Sequence, residues 1–282
     1  MTIDGLVCES SDVVRAGARV EALPMEAPRT DLSPDASVPM TILHVDDALV
    51  VLVKPAGVVV HPAPGAETGT LVHGLLARGY FKTLEEENLR PGIVHRLDKG
   101  TSGVMVVART PEAREALKAQ FSNHTIEREY VAICVGLAKT TTHRTLHGRD
   151  PRDRKKFTSH VRTGKTAITH VECKESLAHG HASLVRATLE TGRTHQIRMH
   201  LADAKTPVLG DPVYGKKPPA DRPKAGRKDS DAAEVARVAT ELGHQALHAR
   251  VLGFVHPVTR EHVRFEAPPP EDFARALDEL RC

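Results

Sequence analysis

The chain has 282 residues, 40% of them apolar, enough for a packed core in one large or two modest domains. No apolar run nears the roughly 20 residues of a membrane helix, which excludes a helical membrane protein. Net charge is only +3, and with no Trp, three Tyr and six Phe the chain can barely supply a serial base-stacking platform for single-stranded nucleic acid. Met1–Ser11 carries no secretory pattern, and the cysteines (Cys8, Cys134, Cys173, Cys282) form no C-x-x-C pair. Those features argue against a disulfide framework or zinc site and fit a cytoplasmic protein.

In chain order, residues 1–40 are rich in Asp, Pro and Ser, with a small hairpin expected around Gly17 and a linker over Pro24–Pro39. Two apolar runs flanking Asp46-Asp47 predict a hairpin, ended by Lys54-Pro55. Thr68–Arg78 has helical spacing, with Gly79 just beyond. Val104–Ala108 is a buried strand candidate. Thr110-Pro111-Glu112 then opens a helix to about Ser122, with a capping hydroxyl, a first-turn proline and an acid near the positive dipole end. Strands are expected over Arg128–Gly136, Thr166–Cys173, Ala182–Glu190, Ala246–Val255 and His262–Ala267, and helices over Arg193–Ala204 and Pro270–Leu280. Strands outnumber helices without βαβ alternation, so the expected class is α+β with a largely antiparallel sheet. Two segments are basic: Arg149–Lys165, with seven Lys/Arg against two Asp, and Lys216–Lys228, with six against one. The second, with three prolines, reads as a flexible surface insertion, drawn here over 216–241.

The densest chemical signal is Gly92–Gly103, GIVHRLDKGTSG. Asp98 lies there among His95, Arg96 and Lys99, and a carboxylate beside cations stays ionised and can act as nucleophile or base. The turn glycines would let a substrate backbone approach. On these residues alone an ordinary salt-bridged turn fits better. In TGRTHQIRMHL, one helix side would aim His195 and Arg198 into a cleft while Ile197 and Leu201 pack behind. His195 and His200 lack the glutamate of a zinc-protease helix and fit hydrogen-bonded packing better than metal binding. LGDPVYG reads as a tight turn, and QALHARVLGFVH shows no chemistry of its own.

Taken in order, HRLDKGTSG, REYVA, GRTHQIRMHLA, LGDPVYG and HQALHA…GFVHP resemble the RluA-type pseudouridine synthases, from about Thr41 to Arg275. Gly100 stands where that family has a second aspartate. GRDPRDRKKF followed by KTAITHVE is similar to the RluD-like branch, which acts on large-subunit ribosomal RNA. The resemblance implies the pseudouridine synthase catalytic fold and isomerisation of uridine to pseudouridine, with no cofactor and no metal. It implies that Asp98 is the catalytic aspartate, acting as nucleophile on C1′ or as base. Tyr130 would pack against the target base, and Arg198 would pair with the aspartate. Arg96 would enter the space left by a flipped base, offsetting an unstacking cost of a few kcal/mol. Beside these, Arg154, Lys155 and Lys156 are the candidate phosphate contacts.

Residues 1–40 resemble a remnant of the last hairpin of an S4-type RNA-binding domain plus a linker, and 41–282 the catalytic domain. The expected partner is ribosomal large-subunit RNA, with no membrane, and the expected state is a monomer. The alternatives are a tRNA or dual-specificity synthase, and a non-catalytic RNA-binding protein of the same fold.

Overall fold

The computed structural model describes residues 2–8, 12–22, 32–81, 92–215 and 230–281. Contacts divide the chain into two units, Met1–Asp31 and Leu32–Cys282, a boundary nine residues before the expected one. In the first unit, β1 (Thr2–Ile3), β2 (Leu6–Val7) and β3 (Val20–Glu21) form a small antiparallel sheet with β1 central. Gly17 does sit in a turn, closed by Ala18 N–H on the Arg15 carbonyl. The arm after it pairs with β1, however, and not with the arm before it. Residues 23–31, in the expected linker, lie outside the described residues.

The second unit is α+β, as expected. Its strands are β4 (Thr41–Val45), β5 (Leu49–Lys54), β6 (Ser102–Ala108), β7 (Glu127–Val135), β8 (Thr141–Arg149), β9 (Phe157–Thr158), β10 (Lys165–Leu177), β11 (Ala182–Leu189), β12 (Leu247–Val255) and β13 (His262–Glu266). They make one ten-stranded sheet in the order β4-β5-β6-β12-β7-β11-β10-β8-β9, with β13 paired to β12. Among the described residues only the β6–β12 pairing is parallel. The helices are α1 (Leu71–Ala77), α2 (Pro111–Ser122), α3 (Gln196–Asp203), α4 (Ser230–Leu242) and α5 (Glu271–Glu279).

The apolar runs of β5 and β6 are continuous because both faces are covered. Leu49, Val51, Val104 and Val106 pack toward α2, while Val50, Leu52, Met105 and Val107 pack toward α1. α2 starts where its signals place it, with the Thr110 hydroxyl accepting from Ala113 N–H at 3.2 Å. A third core gathers β7, β10, β11 and α3–α5, where Ile197, Leu201, Val235, Val238 and Phe273 are buried.

Several elements were not expected, among them the short strands β1, β2 and β9; the two longest are β8 and α4. β8 carries Thr, His and Arg where strands usually show apolar alternation. Its inward residues His143, Thr145 and His147 alternate correctly but meet polar partners: Thr145 with His200 at 2.8 Å, and His147 with the Thr194 carbonyl at 2.8 Å. α4 occupies the end of the segment read as a flexible basic insertion, because Val235 and Val238 anchor an amphipathic face. Residues 216–229, with most of that segment's charge, lie outside the described residues.

Candidate active site

The HRLDKGTSG segment is a loop leading into β6, held from beneath by a buried lysine. Lys54 donates to the carbonyls of Pro55 (2.7 Å), Val58 (2.9 Å) and Lys99 (3.3 Å), and Gly57 N–H also donates to Lys99 O at 2.8 Å. Burial pushes the Lys54 pKa down to about 7, against the charge of Asp98. Thr101 N–H closes the turn on the Asp98 carbonyl at 3.0 Å. His95 does not flank Asp98 as a cation. It stacks on Phe121 with ring centroids 4.6 Å apart and accepts from Val106 N–H at 3.1 Å. Burial holds its pKa down at about 3, so it is a neutral structural acceptor. The glycines also serve packing more than substrate approach. A Cβ at Gly103 would strike the Ala249 backbone where β6 meets β12, and one at Gly100 would strike the Gln245 amide. Gln245 Nε2 in turn donates to Thr101 Oγ1 at 3.1 Å.

Facing this loop is the start of α3. Gln196 pins it to β10, donating to Ile168 O (3.0 Å) and Thr169 Oγ1 (2.9 Å) while accepting from Thr191 Oγ1 (2.8 Å). That places Arg198, 3% exposed, between two carboxylates. Its Nη1 donates to Asp98 Oδ2 at 2.8 Å; its Nε and Nη2 donate to Asp211 at 2.6 and 2.9 Å. Asp211 comes from LGDPVYG, where its Oδ1 also accepts from Val213 N–H (2.8 Å) and Tyr214 N–H (3.0 Å). Burial alone would raise the Asp211 pKa, but Arg198 and these N–H groups lower it. For Arg198 burial likewise opposes the charge, and the two aspartates outweigh it and raise the pKa. Tyr214 lays its ring against Arg198, 5.3 Å from the guanidinium carbon.

Two cavities open on Asp98, of about 930 and 160 Å3, and share Arg96, Asp98, His195 and Arg198 in their walls. The smaller also has Tyr130, from β7, and Leu247. Burial, with the nearby Asp98 charge, pushes the Tyr130 phenol up to about 12 although Arg128 opposes it, so Tyr130 is protonated at neutral pH. Arg96 is exposed at the mouth. Asp98, Tyr130, Arg198 and Arg96 therefore come together from three separate segments of the chain. Arg154, Lys155 and Lys156 do not line either cavity. They form the turn between β8 and β9, closed by Arg149 on the Arg154 carbonyl (2.7 Å) and by Asp150 N–H on the Lys156 carbonyl (3.0 Å). The next residue, Phe157, donates its N–H to Tyr214 Oη at 2.8 Å.

The sequence reading missed Asp211, Tyr214 and Lys54. A Gly-Asp-Pro stretch is turn chemistry by default, and only the fold shows that Asp211 holds Arg198 as well. Lys54 ends an otherwise apolar strand, where a lysine ordinarily reaches solvent, and nothing in the sequence marks it as buried.

The family profile described as "RNA pseudouridylate synthase" matches residues 48–203. The chain is 42% identical to a protein of Xanthomonas campestris pv. campestris named "Ribosomal large subunit pseudouridine synthase D", over 99% of this chain and 80% of that one. It is 39% identical to "Uncharacterized RNA pseudouridine synthase YlyB" of Bacillus subtilis, over 99% and 86%. It shares its fold with the solved structure titled "Human RNA Pseudouridylate Synthase Domain Containing 4", with a TM-score of 0.62 and 24% identity over 86% of this chain and 93% of that one. The family match takes in Asp98, Tyr130 and Arg198, and the identity is sustained along nearly the whole sequence. On that evidence the chain belongs to the RNA pseudouridylate synthase family, as an isomerase of the RluA type and its RluD-like branch.

Proposed function

We propose that this synthase isomerises uridine in large-subunit ribosomal RNA and that Asp98 is the group that acts on the ribose. The observation that carries the reading is the carboxylate of Asp98 held by a buried arginine, itself held by Asp211, at the wall of a cavity shared with Tyr130. The curated relatives named for the large ribosomal subunit support the choice of RNA.

The reaction moves uracil from an N1 bond to a C5 bond on the same C1′, so the detached base has to be retained and water kept away. One carboxylate suffices, because no leaving oxygen or water needs the second acid or base of a glycosidase. Asp98 attacks C1′ or removes the C2′ proton; both routes need it oriented, which is the task of Arg198. Tyr130 packs against the flipped base as an uncharged phenol. Arg96, exposed at the cavity mouth, fills the gap left in the RNA stack. Arg154, Lys155 and Lys156 contact phosphate from the hairpin turn.

Mapping pseudouridine in RNA from cells with and without this protein tests the reading. The expected result is loss of defined sites in large-subunit RNA. Loss confined to tRNA would reassign the substrate, and no loss in any RNA would leave a binding protein.

A further inference from the structure

His195 begins α3 with its backbone in the left-handed region, φ 57 and ψ 18. Few residue types tolerate that conformation, His among the better ones, and such strain is kept where the surroundings demand it. Here it turns the imidazole into both cavities beside Asp98. The ring is gripped on one side: His195 Nδ1 lies 3.2 Å from Tyr214 Oη, with Phe157 edge-on at 5.7 Å.

These contacts fix the tautomer. Tyr214 Oη already accepts the Phe157 N–H at 2.8 Å, and its ring faces the Arg198 guanidinium. A phenol has one proton to give, and among the described residues the acceptor in reach is His195 Nδ1. Burial holds the Tyr214 pKa up at about 12, so that proton is present. With Nδ1 accepting, a neutral ring carries its own proton on Nε2. Burial also lowers the His195 pKa, against the charge of Asp98, which favours the neutral ring. Nε2 stands 3.9 Å from Asp98 Oδ2, too far for a hydrogen bond, which leaves its N–H uncommitted to that carboxylate in a ring that lines both cavities.

We propose that His195, fixed as the Nε2–H tautomer by Tyr214, donates a hydrogen bond to the uracil as it leaves C1′ and stabilises the negative charge it acquires. The inference rests on the function proposed above. When the C1′–N1 bond breaks, its electron pair stays with uracil. Asp98 meanwhile bonds to C1′ or takes the C2′ proton, so the negative charge passes from Asp98 to the base. His195 loses no proton in that step. A donor aimed at developing charge in a site closed to water is the arrangement that lowers a barrier most. Asp98 does the bond-breaking; His195 is a second catalytic residue, and Tyr214 a positioning residue that acts through it.

The test combines single-turnover rates at saturating RNA for His195→Ala, His195→Gln and Tyr214→Phe with 15N NMR of the His195 ring in the whole protein. We expect His195→Ala to be slower by about 100-fold with RNA affinity within about threefold, and His195→Gln, whose amide restores a donor, to recover at least about tenfold. At neutral pH the wild-type spectrum should show Nε2 protonated and Nδ1 not, and Tyr214→Phe should give a mixture of tautomers. A His195→Ala rate within about threefold of an active wild type overturns this inference alone. A wild-type ring protonated on Nδ1 overturns it even where the alanine variant is too unstable to assay. Absence of pseudouridine from RNA treated with the wild type would overturn the underlying function as well.

Discussion

Arg198 touches two carboxylates, and the two contacts differ in kind. Three of its nitrogens are committed, two to Asp211 and one to Asp98, so Asp211 fixes the guanidinium plane and Asp98 is oriented by what remains. Replacing Arg198 by Met keeps helix propensity and much of the volume but strands a buried Asp211. We expect a loss of about 2–4 kcal/mol in transition-state stabilisation, read as single-turnover rate at saturating RNA, together with a lower melting temperature. Asp211→Asn keeps Oδ1 as an acceptor and should slow the reaction less than Arg198→Met, because Arg198 retains its bond to Asp98. Equal and near-normal rates in both variants would contradict the pairing. At this scale the motifs made Asp98, Tyr130, Arg198 and Arg96 legible, because each lies in a distinctive local run. Asp211 was not, since its local neighbours explain it fully as a turn residue. His95 was misread because sequence adjacency to Asp98 says nothing about which way a side chain turns.

Two hairpins, β4–β5 and β8–β9, stand at the two ends of the strand order. At the β4–β5 turn, Asp46 accepts from Ala48 N–H (2.7 Å) and Leu49 N–H (2.9 Å) and meets His44 (2.8 Å) and His256 (3.0 Å). Partial burial disfavours its charge, but these bonds outweigh burial and hold its pKa at about 2. A carboxyl depressed in the folded state adds stability that is present above its unfolded value of 3.8 and disappears as pH falls toward about 2. Asp46→Asn should therefore lose about 1 kcal/mol at neutral pH and show a weaker fall in stability across that window, measured by urea unfolding. An unchanged pH profile would mean the turn is held by other contacts. The β8–β9 hairpin is the second case. Its strand β8 was illegible because the inward side chains are His and Thr, with Thr145 bonded to His200 of α3 and His147 to the Thr194 carbonyl just before it, in place of apolar packing. Helix α4 was hidden by the basic run before it, although Val235, Val238 and Leu242 have helical spacing. If the hairpin turn grips phosphate, neutralising Arg154, Lys155 and Lys156 together should weaken RNA binding and lower the salt slope by up to about one unit per lost contact. The rate at saturating RNA should hold, because none of the three lines a cavity. Unchanged affinity and slope would make this turn a solvated surface.

Across the whole molecule the sheet separates two kinds of surface. Along β7, Arg128 and Tyr130 alternate with Glu127 and Glu129, so the glutamates project to the face away from the cavity. There they join a run of ion pairs across the strands. Arg264 meets Glu127 (3.3 Å), Arg250 meets Glu129 (2.7 Å) and Glu266 (3.0 Å), and Arg186 meets Glu172 (2.5 Å) and Glu129 (3.5 Å). The pairs with both partners partly exposed, Arg264–Glu127, Arg250–Glu266 and Arg186–Glu172, each add little stability, typically below about 1 kcal/mol. Their joint effect is a face with its charges cancelled and little attraction for phosphate. Arg186→Ala should accordingly leave the salt dependence of RNA binding unchanged, in contrast to the β8–β9 triple variant, and a flattened slope would place RNA on this face too. A net charge of +3 conceals this asymmetry, which is why composition indicated so little about the partner. The central claim, that Asp98 is the reacting group of an RNA pseudouridine synthase, is tested most directly by one comparison. Wild type and Asp98→Asn are incubated at saturating concentration with large-subunit ribosomal RNA that lacks modification, and pseudouridine is quantified in the digested nucleosides. The amide nearly matches the carboxylate in shape but can neither attack C1′ nor take its neighbour's proton. The account predicts pseudouridine with the wild type and none with Asp98→Asn, whose RNA affinity stays close to normal. Product formed by Asp98→Asn at within about tenfold of the wild-type single-turnover rate would contradict it.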